Sequence, residues 1–155
     1  ASFGQGIAVT PLQMVRATAV LANRGKMPTP KIVDRIITGA TIKDIPPAKV
    51  IPVISSLAAA QITKMMINAV DKGESKWAKP EGYVIAGKTG TAQIPVSGHY
   101  DLEKTIASFV GFAPAVDPKF VMLVTLTEPQ TSPWGSETAA PLWFDIARDI
   151  FRLIK

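Results

Sequence analysis

Residues 105–127 read TIASFVGFAPAVDPKFVMLVTLT, two β-rich runs joined by a connection that contains two prolines. Val, Ile, Thr and Phe fit the pleated, half-buried surface of a sheet, so 105–112 and 119–127 are predicted strands. The connection at 113–118 is short enough for a hairpin. The two strands are therefore predicted to be antiparallel neighbours in one sheet.

Two helices and a further strand are predicted before this pair. Thr10 and Gln13 form a capping box with a proline at the first helical position, which predicts a helix over 11–23. A short β-branched segment predicts a strand over 31–37. A serine cap followed by apolar residues at helical spacing predicts a second helix over 56–72.

A third strand and a closing helix complete the predicted architecture. Residues 83–92 read YVIAGKTGTA and form the strand, while Pro141 lies in the first turn of the helix. The apolar stripe of this helix is predicted to comprise Leu142, Ile146, Ile150 and Leu153, widened by Trp143, Ala147 and Ile154. The order helix, strand, helix, three strands, helix indicates the α+β class, an antiparallel β-sheet covered by helices.

The composition of the 155 residues predicts one globular domain, because 47% are hydrophobic and only 19% are charged. There is no cysteine and a single histidine, His99. Disulfides and thiolate nucleophiles are excluded, and little remains for a histidine metal site or a Ser-His-Asp triad. We expect no metal and no cofactor, and chemistry that depends on Lys, Ser, Thr or carboxylates.

Charge and hydropathy restrict the partners. Seventeen basic and twelve acidic residues give a net charge of +5, which favours anionic partners in a general way. Only 7% of residues are aromatic and no basic run is interleaved with them, so no nucleic-acid partner is expected. Apolar stretches such as 120–126 are too short to span a bilayer, so any membrane anchor is expected outside this chain.

The segment at 82–89 matches G-x-x-x-x-G-K-[ST], the phosphate-binding loop of nucleotide hydrolases. That loop must be rich in glycine and must open a helix whose amides cradle phosphate. Here the loop positions hold the strand formers Tyr, Val and Ile, and a glycine and then Pro95 follow the Lys-Thr pair. The nucleotide interpretation is therefore disfavoured.

The alternative interpretation places Lys88, Thr89, Gly90 and Thr91 in a strand at the rim of a cleft. Glycines in strands mark places where a ligand backbone approaches closely. A peptide could add as a further strand, while Lys88 and the two threonine hydroxyls bind a carboxylate. Strict alternation puts Lys88 and Gly90 on one face and Thr89 and Thr91 on the other, so the strand must twist for both sets to reach one ligand.

The remaining candidates receive structural interpretations. The glycines at 3–6 are expected to serve a turn. Met65 and Met66 are predicted to pack in the core. The segment containing His99, Tyr100 and Asp101 is expected to be a surface loop, and Trp134 is expected to anchor the loop before the last helix. Three lysines before the motif strand, Lys72, Lys76 and Lys79, are expected to form a solvated face.

Lys-Thr-Gly is also the third signature of the serine penicillin-recognising enzymes, which combine it with S-x-x-K and S-x-N. The chain resembles the C-terminal half of a class B penicillin-binding protein transpeptidase domain of the division or septal type. The resemblance spans nearly the whole chain in the family's order, through FGQGIAVTPLQM at 3–14, ANRG at 22–25, KTGTAQ at 88–93, IASFVGFAP at 106–114 and AAPLWF at 139–144.

The resemblance implies a D,D-transpeptidase that cross-links peptidoglycan stem peptides ending in D-Ala-D-Ala and is acylated by β-lactams. It implies a catalytic role for Lys88 and for the backbone N–H of Thr91, which would complete an oxyanion hole. It implies that Thr89, Gly90 and Thr91 bind the carboxylate-bearing substrate. It also implies the extracytoplasmic face of the bacterial membrane, with a membrane glycosyltransferase and divisome proteins as partners.

The chain departs from the family in one respect. No serine is followed three residues later by lysine, and no Ser-x-Asn occurs. In the family both motifs precede the segment seen here, so residues 1–155 are expected to be the C-terminal portion of the domain, partnered by the N-terminal portion that bears the nucleophile. A non-catalytic penicillin-recognising or scaffold domain is the alternative.

Overall fold

The computed structural model describes residues 7–46 and 49–154. The predicted turn at 3–6 lies outside the described residues. In chain order the elements are α1 (Pro11–Ala22), β1 (Lys26–Met27), β2 (Arg35–Thr38), β3 (Thr41–Asp44), β4 (Ile51–Pro52), α2 (Ser56–Lys72), a 3₁₀ helix (Glu74–Ala78), β5 (Ala86–Val96), β6 (His99–Ala113), β7 (Phe120–Thr127) and α3 (Ala139–Leu153).

The central sheet has the order β5-β6-β7, and both pairs of neighbours are antiparallel. The hairpin predicted between the strands at 105–112 and 119–127 is confirmed, although β6 begins earlier than predicted. The expectation of a loop at His99, Tyr100 and Asp101 is wrong, because β5 and β6 continue pairing past a register shift at Gln93 and Pro95. The tight turn at Ser97 and Gly98, both with positive φ, allows the hairpin to extend that far.

Both predicted helices of the N-terminal half are confirmed. At α1 the Thr10 hydroxyl accepts from the Gln13 N–H, and the Gln13 side chain accepts from the Thr10 N–H. At α2 the Ser55 hydroxyl caps the Ala58 N–H. These side chains supply partners to backbone N–H groups that the first helical turn leaves unpaired.

The strand predicted at 31–37 is displaced. Residues 31–34 are irregular, and β2 pairs with β3 in a two-stranded antiparallel hairpin whose residues are all exposed. The turn at Gly39, where φ is +57°, reverses the chain. The prediction missed β3 because a four-residue strand on an exposed hairpin has little apolar periodicity to reveal it.

The main core lies between the sheet and α3. Trp143 and Phe144 are fully buried, and each ring lies 5.2 Å from the Phe109 ring of β6 between centroids. The indole N–H of Trp143 donates to the carbonyl of Met122 at 2.9 Å. Burying a large apolar side chain of this kind contributes about 1.5–3 kcal/mol. Further α3 residues in this core are Ala139, Ala140, Ala147 and Phe151.

The stripe of α3 residues predicted to face the core is rotated about the helix axis from the stripe that the structure buries. Leu142, Ile146 and Leu153 are exposed, whereas Trp143 and Ala147, predicted at the margin, face the sheet. At 100° per residue the two arcs differ by about 100° around the helix axis. The helix is apolar over both arcs, so periodicity does not choose between them, and the large aromatic side chains take the face against the sheet.

A second, smaller cluster lies on the opposite face of the sheet. Ala86 of β5 and Phe112 of β6 are buried there against side chains of α1 and α2, including Leu21 and Met66. Met65, predicted to pack beside Met66, is instead 69% exposed. Adjacent helical residues lie 100° apart, so both methionines cannot point at the same core. The antiparallel sheet is thus covered by helices, as predicted, with α3 on one face and α1 and α2 on the other.

No helix within the described residues combines the length and apolar character needed to cross a membrane.

Candidate functional site

The Lys-Thr-Gly-Thr segment lies in β5, at the edge of the central sheet as the structure describes it. A Cβ at Gly87, directly before the motif, would lie 2.3 Å from Cζ of Phe109. The absence of a side chain at Gly87 therefore leaves room for the buried Phe109 ring against the strand. The strand continues through Lys88 and Thr89 to Val96, with a register shift only after Gln93, which leaves no helix for a phosphate-binding loop.

The register of β5 confirms the predicted alternation. Thr89 lies opposite Phe109 and Thr91 opposite Ala107, and both partners are buried on the face that packs against α3. Residues directly opposite each other on antiparallel strands share a face, so both threonines point to the α3 side of the sheet. Lys88 points to the opposite side.

The Lys88 side chain nevertheless reaches the threonine side. Its ammonium donates to the carbonyl of Thr89 at 2.9 Å and lies 3.4 Å from the Thr89 hydroxyl. The side chain is exposed and folds along the open edge of the strand to make both contacts. A cation and a hydroxyl therefore converge at the edge of β5 through the reach of the lysine.

The loop between β7 and α3 packs closely over the motif. The N–H of Gly135 donates to the hydroxyl oxygen of Thr91 at 3.1 Å. A Cβ on Gly135 would lie 2.6 Å from the carbonyl oxygens of Gly90 and Ser108, so only glycine permits this approach. The Ser108 hydroxyl also donates to the Gly90 carbonyl at 3.3 Å.

The loop is anchored by residues other than the predicted one. Trp134 leaves 56% of its surface exposed, so its side chain is not the anchor. The Pro133 carbonyl accepts from the Thr105 hydroxyl at 2.8 Å, and the Trp134 carbonyl accepts from the Thr138 hydroxyl at 2.7 Å. The Ser136 hydroxyl donates to the Glu74 carboxylate at 3.2 Å.

A cavity of about 330 Å³ opens beside the motif. It lies where the end of α2 and the 3₁₀ helix meet β5, and it is lined by Ala69, Gly73, Glu74, Ser75, Gly87, Lys88, Thr89 and Phe109. Ala69, Gly87 and Phe109 give it an apolar side, Lys88 and Thr89 give it a cation and a hydroxyl, and Glu74 gives it a carboxylate. Lys88 and Thr89 suit a ligand carboxylate, because ammonium groups and hydroxyls form strong hydrogen bonds to carboxylates.

The charged groups around the site have local partners. Lys72 and Lys76 are exposed, as predicted for a solvated face, whereas Lys79 is half-buried and forms an ion pair with Asp71. Across the strands, Lys104 lies 3.0 Å from Glu128, and the hydrogen bond to Glu128 raises the Lys104 pKa. Among the described residues no group of three or more His, Cys, Asp or Glu side chains could hold a metal ion.

Asp101 has a depressed pKa at the far end of the hairpin. Its carboxylate accepts from the backbone N–H groups of Glu103 and Lys104, each at 2.9 Å. These two hydrogen bonds favour the charged form and lower the Asp101 pKa below its ordinary value of 3.8. The carboxylate thus fixes the backbone at the start of β6 as long as it is ionised.

Glu74, Gly135 and Ser136 were not predicted as site residues. Gly135 bonds to Thr91, 44 residues away in the sequence, and Ser136 bonds to Glu74, 62 residues away. No local sequence pattern predicts a contact between residues so far apart. One available signal is the glycine after Trp134, which lies between the last strand and the last helix.

An antiparallel sheet presents Lys-Thr-Gly-Thr on its edge strand, and K-T-G is the third signature of the penicillin-recognising enzymes. The chain belongs to the penicillin binding protein transpeptidase domain family, whose model matches residues 1–152. The predicted resemblance and the α+β fold class are confirmed.

Relatives support this assignment over nearly the whole chain. Stage V sporulation protein D of Bacillus subtilis is 40% identical over 152 residues, which cover 96% of this chain. Peptidoglycan D,D-transpeptidase FtsI of Escherichia coli is 32% identical and covers 97%. The chain spans only 24% of the length of each of these relatives.

Solved structures share the fold. Penicillin binding protein 3 from Mycobacterium tuberculosis, complexed with aztreonam, aligns with a TM-score of 0.85 at 29% identity. The alignment covers 96% of this chain and 36% of that one. The transpeptidase domain of Burkholderia pseudomallei penicillin-binding protein 3 aligns with a TM-score of 0.79 at 31% identity, covering 98% and 44% of the two chains.

Proposed function

We propose that this chain forms one wall of the active site of a peptidoglycan D,D-transpeptidase. The observation that carries the proposal is the open edge of β5, where the Lys88 ammonium lies 3.4 Å from the Thr89 hydroxyl. In the proposed reaction a serine hydroxyl in the rest of the domain attacks the carbonyl between the two D-alanines. The terminal D-alanine leaves, and an amine of a neighbouring stem peptide then takes the acyl group from the serine.

Two features of β5 support binding of the donor peptide. The strand edge opposite β6 offers backbone groups to an extended peptide, which can add to the sheet as a further strand. Lys88, together with the hydroxyls of Thr89 and Thr91, then lies along that edge to receive the terminal carboxylate. β-Lactams that carry a carboxylate beside the reactive ring would use the same groups.

Thr91 is proposed to contribute to the oxyanion hole through its backbone. The Lys88 ammonium contacts the Thr89 carbonyl, which places this carbonyl on the open side of the strand. Backbone groups two residues apart point to the same side of a strand, so the Thr91 N–H also points toward the open edge. Such a donor stabilises charge that develops only in the transition state.

The proposed substrate also suggests the cellular location of the protein and its partner proteins. Relatives of this chain are named peptidoglycan D,D-transpeptidases, and one solved relative is complexed with ampicillin. We propose the same substrate and the same antibiotic class for this protein. Peptidoglycan lies outside the cytoplasmic membrane, so we place the protein at the extracytoplasmic face. A membrane glycosyltransferase that polymerises glycan strands, together with divisome proteins, is the proposed set of partners.

Labelling with fluorescent penicillin tests the proposal on the full-length gene product. We expect covalent label that excess unlabelled benzylpenicillin prevents, located by peptide mapping on a serine three residues before a lysine. Absence of label on a folded, full-length protein would contradict the proposal and favour the alternative, a non-catalytic scaffold domain. Release of D-alanine from a stem pentapeptide gives a second measurement that does not depend on the antibiotic.

A further inference from the structure

The loop at 133–136 is held by hydrogen bonds on both sides of the residue that contacts the motif. Thr105 holds the Pro133 carbonyl at 2.8 Å, and Glu74 holds the Ser136 hydroxyl at 3.2 Å. Between these two points the Gly135 N–H donates to the Thr91 hydroxyl oxygen at 3.1 Å. The Trp134 carbonyl, in the same peptide unit as the Gly135 N–H, also accepts from the Thr138 hydroxyl at 2.7 Å. The position of the Gly135 N–H therefore depends on this local bond together with the two anchors at Pro133 and Ser136.

The hydrogen bonds of the two anchors tie the loop to different elements of the fold. Thr105 belongs to β6, so the first anchor is part of the sheet itself. Ser136 is 4% exposed, and its partner Glu74 begins the 3₁₀ helix, which also lines the cavity beside Lys88. A buried hydroxyl needs a hydrogen-bond partner, and the Glu74 carboxylate supplies one. The second anchor thus ties the loop to the element on the other side of the cavity.

We propose that Glu74 is a positioning residue, which acts through Ser136 and Gly135 to orient the Thr91 hydroxyl toward the carboxylate of the ligand. The inference rests on the proposed function of β5. When the Thr91 hydroxyl oxygen accepts from the Gly135 N–H, the hydroxyl hydrogen cannot point toward Gly135. The hydrogen then points away from Gly135 and is free to donate to a ligand carboxylate at the strand edge.

The hydrogen bonds of Glu74 predict which step of the reaction with benzylpenicillin its loss affects. The Lys88 ammonium and the Thr91 N–H belong to β5 and make no described hydrogen bond to Glu74, although the Glu74 carboxylate lines the same cavity as Lys88. Ground-state recognition of the carboxylate should therefore weaken, while the acylation step itself changes little. The dissociation constant of the non-covalent complex should rise roughly 3- to 10-fold in Glu74→Ala, the effect of one hydrogen bond. The first-order acylation rate constant should stay within about twofold.

Three variants of the full-length gene product separate this role from a general structural one. Glu74→Ala removes the acceptor for Ser136, and Ser136→Ala removes the donor while keeping the Glu74 charge, so both should raise the benzylpenicillin dissociation constant. Glu74→Gln is the matched control, because its amide oxygen still accepts from the Ser136 hydroxyl. Glu74→Gln also removes a negative charge from the cavity lining, so we expect it to bind benzylpenicillin at least as tightly as the parent and to acylate at the parent rate.

Coupling to Thr91 is tested by a double-mutant cycle. Thr91→Val removes the hydroxyl, so adding Glu74→Ala to it should raise the dissociation constant no further. In a Thr91→Ser background the hydroxyl is kept, and the full effect of Glu74→Ala should return. The methyl ester of benzylpenicillin lacks the carboxylate charge, and Glu74→Ala should leave its binding within about twofold of the parent.

The outcomes distinguish this inference from the proposed function. If the parent protein is not acylated by benzylpenicillin, the proposed function fails. If the parent is acylated and Glu74→Ala weakens the acid and the ester equally, or weakens binding equally with and without Thr91→Val, the positioning role is wrong. A dissociation constant unchanged in Glu74→Ala would overturn it as well.

Discussion

Lys88 is exposed at the strand edge, and its ammonium makes both of its described hydrogen bonds to Thr89. A side chain of this kind contributes little to packing, because its neighbours are one residue away on the same strand. Its charge, in contrast, lies beside the groups proposed to bind a carboxylate. The residue is therefore expected to matter for chemistry and not for stability.

Lys88→Ala in the full-length gene product tests this separation. The melting temperature should be nearly unchanged, because surface substitutions usually alter stability by under about 0.5 kcal/mol. The second-order rate constant of acylation by benzylpenicillin should fall on the order of 10²–10³, the cost of losing one donor to a developing charge. Acylation at the parent rate, or loss of activity through unfolding alone, would show that the assigned role is wrong.

At the scale of elements, α3 is held on the sheet by an aromatic cluster that centres on Trp143. The indole is fully buried and its N–H donates to the Met122 carbonyl of β7. Its ring also lies 5.7 Å from Phe144 and 5.8 Å from Phe120 between centroids. Packing and a hydrogen bond therefore stabilise the same contact between α3 and the sheet.

Trp143→Ala should lower the free energy of unfolding by about 3–5 kcal/mol, because a large buried side chain leaves a cavity. Trp143→Phe keeps most of the apolar contact and loses the N–H donor, so its cost should be clearly smaller. Denaturant unfolding of both variants gives the comparison. Equal losses in the two would indicate that the hydrogen bond, and not the packing, secures α3.

The β5–β6 hairpin provides a pH-dependent contribution through Asp101. The Asp101 pKa is lowered in the folded protein by two backbone N–H donors, so its contribution to stability is present above the ordinary value of 3.8. That contribution is lost as the pH falls through the lowered pKa of the folded state. Asp101→Asn should therefore melt below the parent at neutral pH, and the difference should close under acid conditions. A difference that is constant across this range would contradict the assignment.

At the scale of the whole molecule, the motif strand and its supports are present, whereas S-x-x-K and S-x-N are absent from the sequence. Residues 1–155 therefore contain no serine with the family's neighbouring lysine. Purified residues 1–155 should form no penicilloyl adduct, as measured by intact mass after incubation with benzylpenicillin. The full-length gene product provides the positive control, and an adduct on any serine of 1–155 would refute the expectation.

Sequence alone determined the features that depend on local patterns. The capping box at Thr10 and Gln13, the limits of α2 and the antiparallel pairing of β6 with β7 follow from hydrogen-bonding side chains and from short connections. The predicted position of the Lys-Thr-Gly-Thr segment in a strand is confirmed, although β5 begins at Ala86 and not at Tyr83. These features can be predicted from the sequence because each depends on residues close to one another in the chain.

Only the tertiary structure decided which surfaces meet. The core-facing arc of α3, the exposure of Met65 and the approach of Gly135 to Thr91 each depend on a partner distant in sequence. Periodicity defines an apolar arc and does not say what packs against it. Close packing then selects the arrangement, because the large rings fill the space over the sheet and a glycine alone fits between the loop and β5.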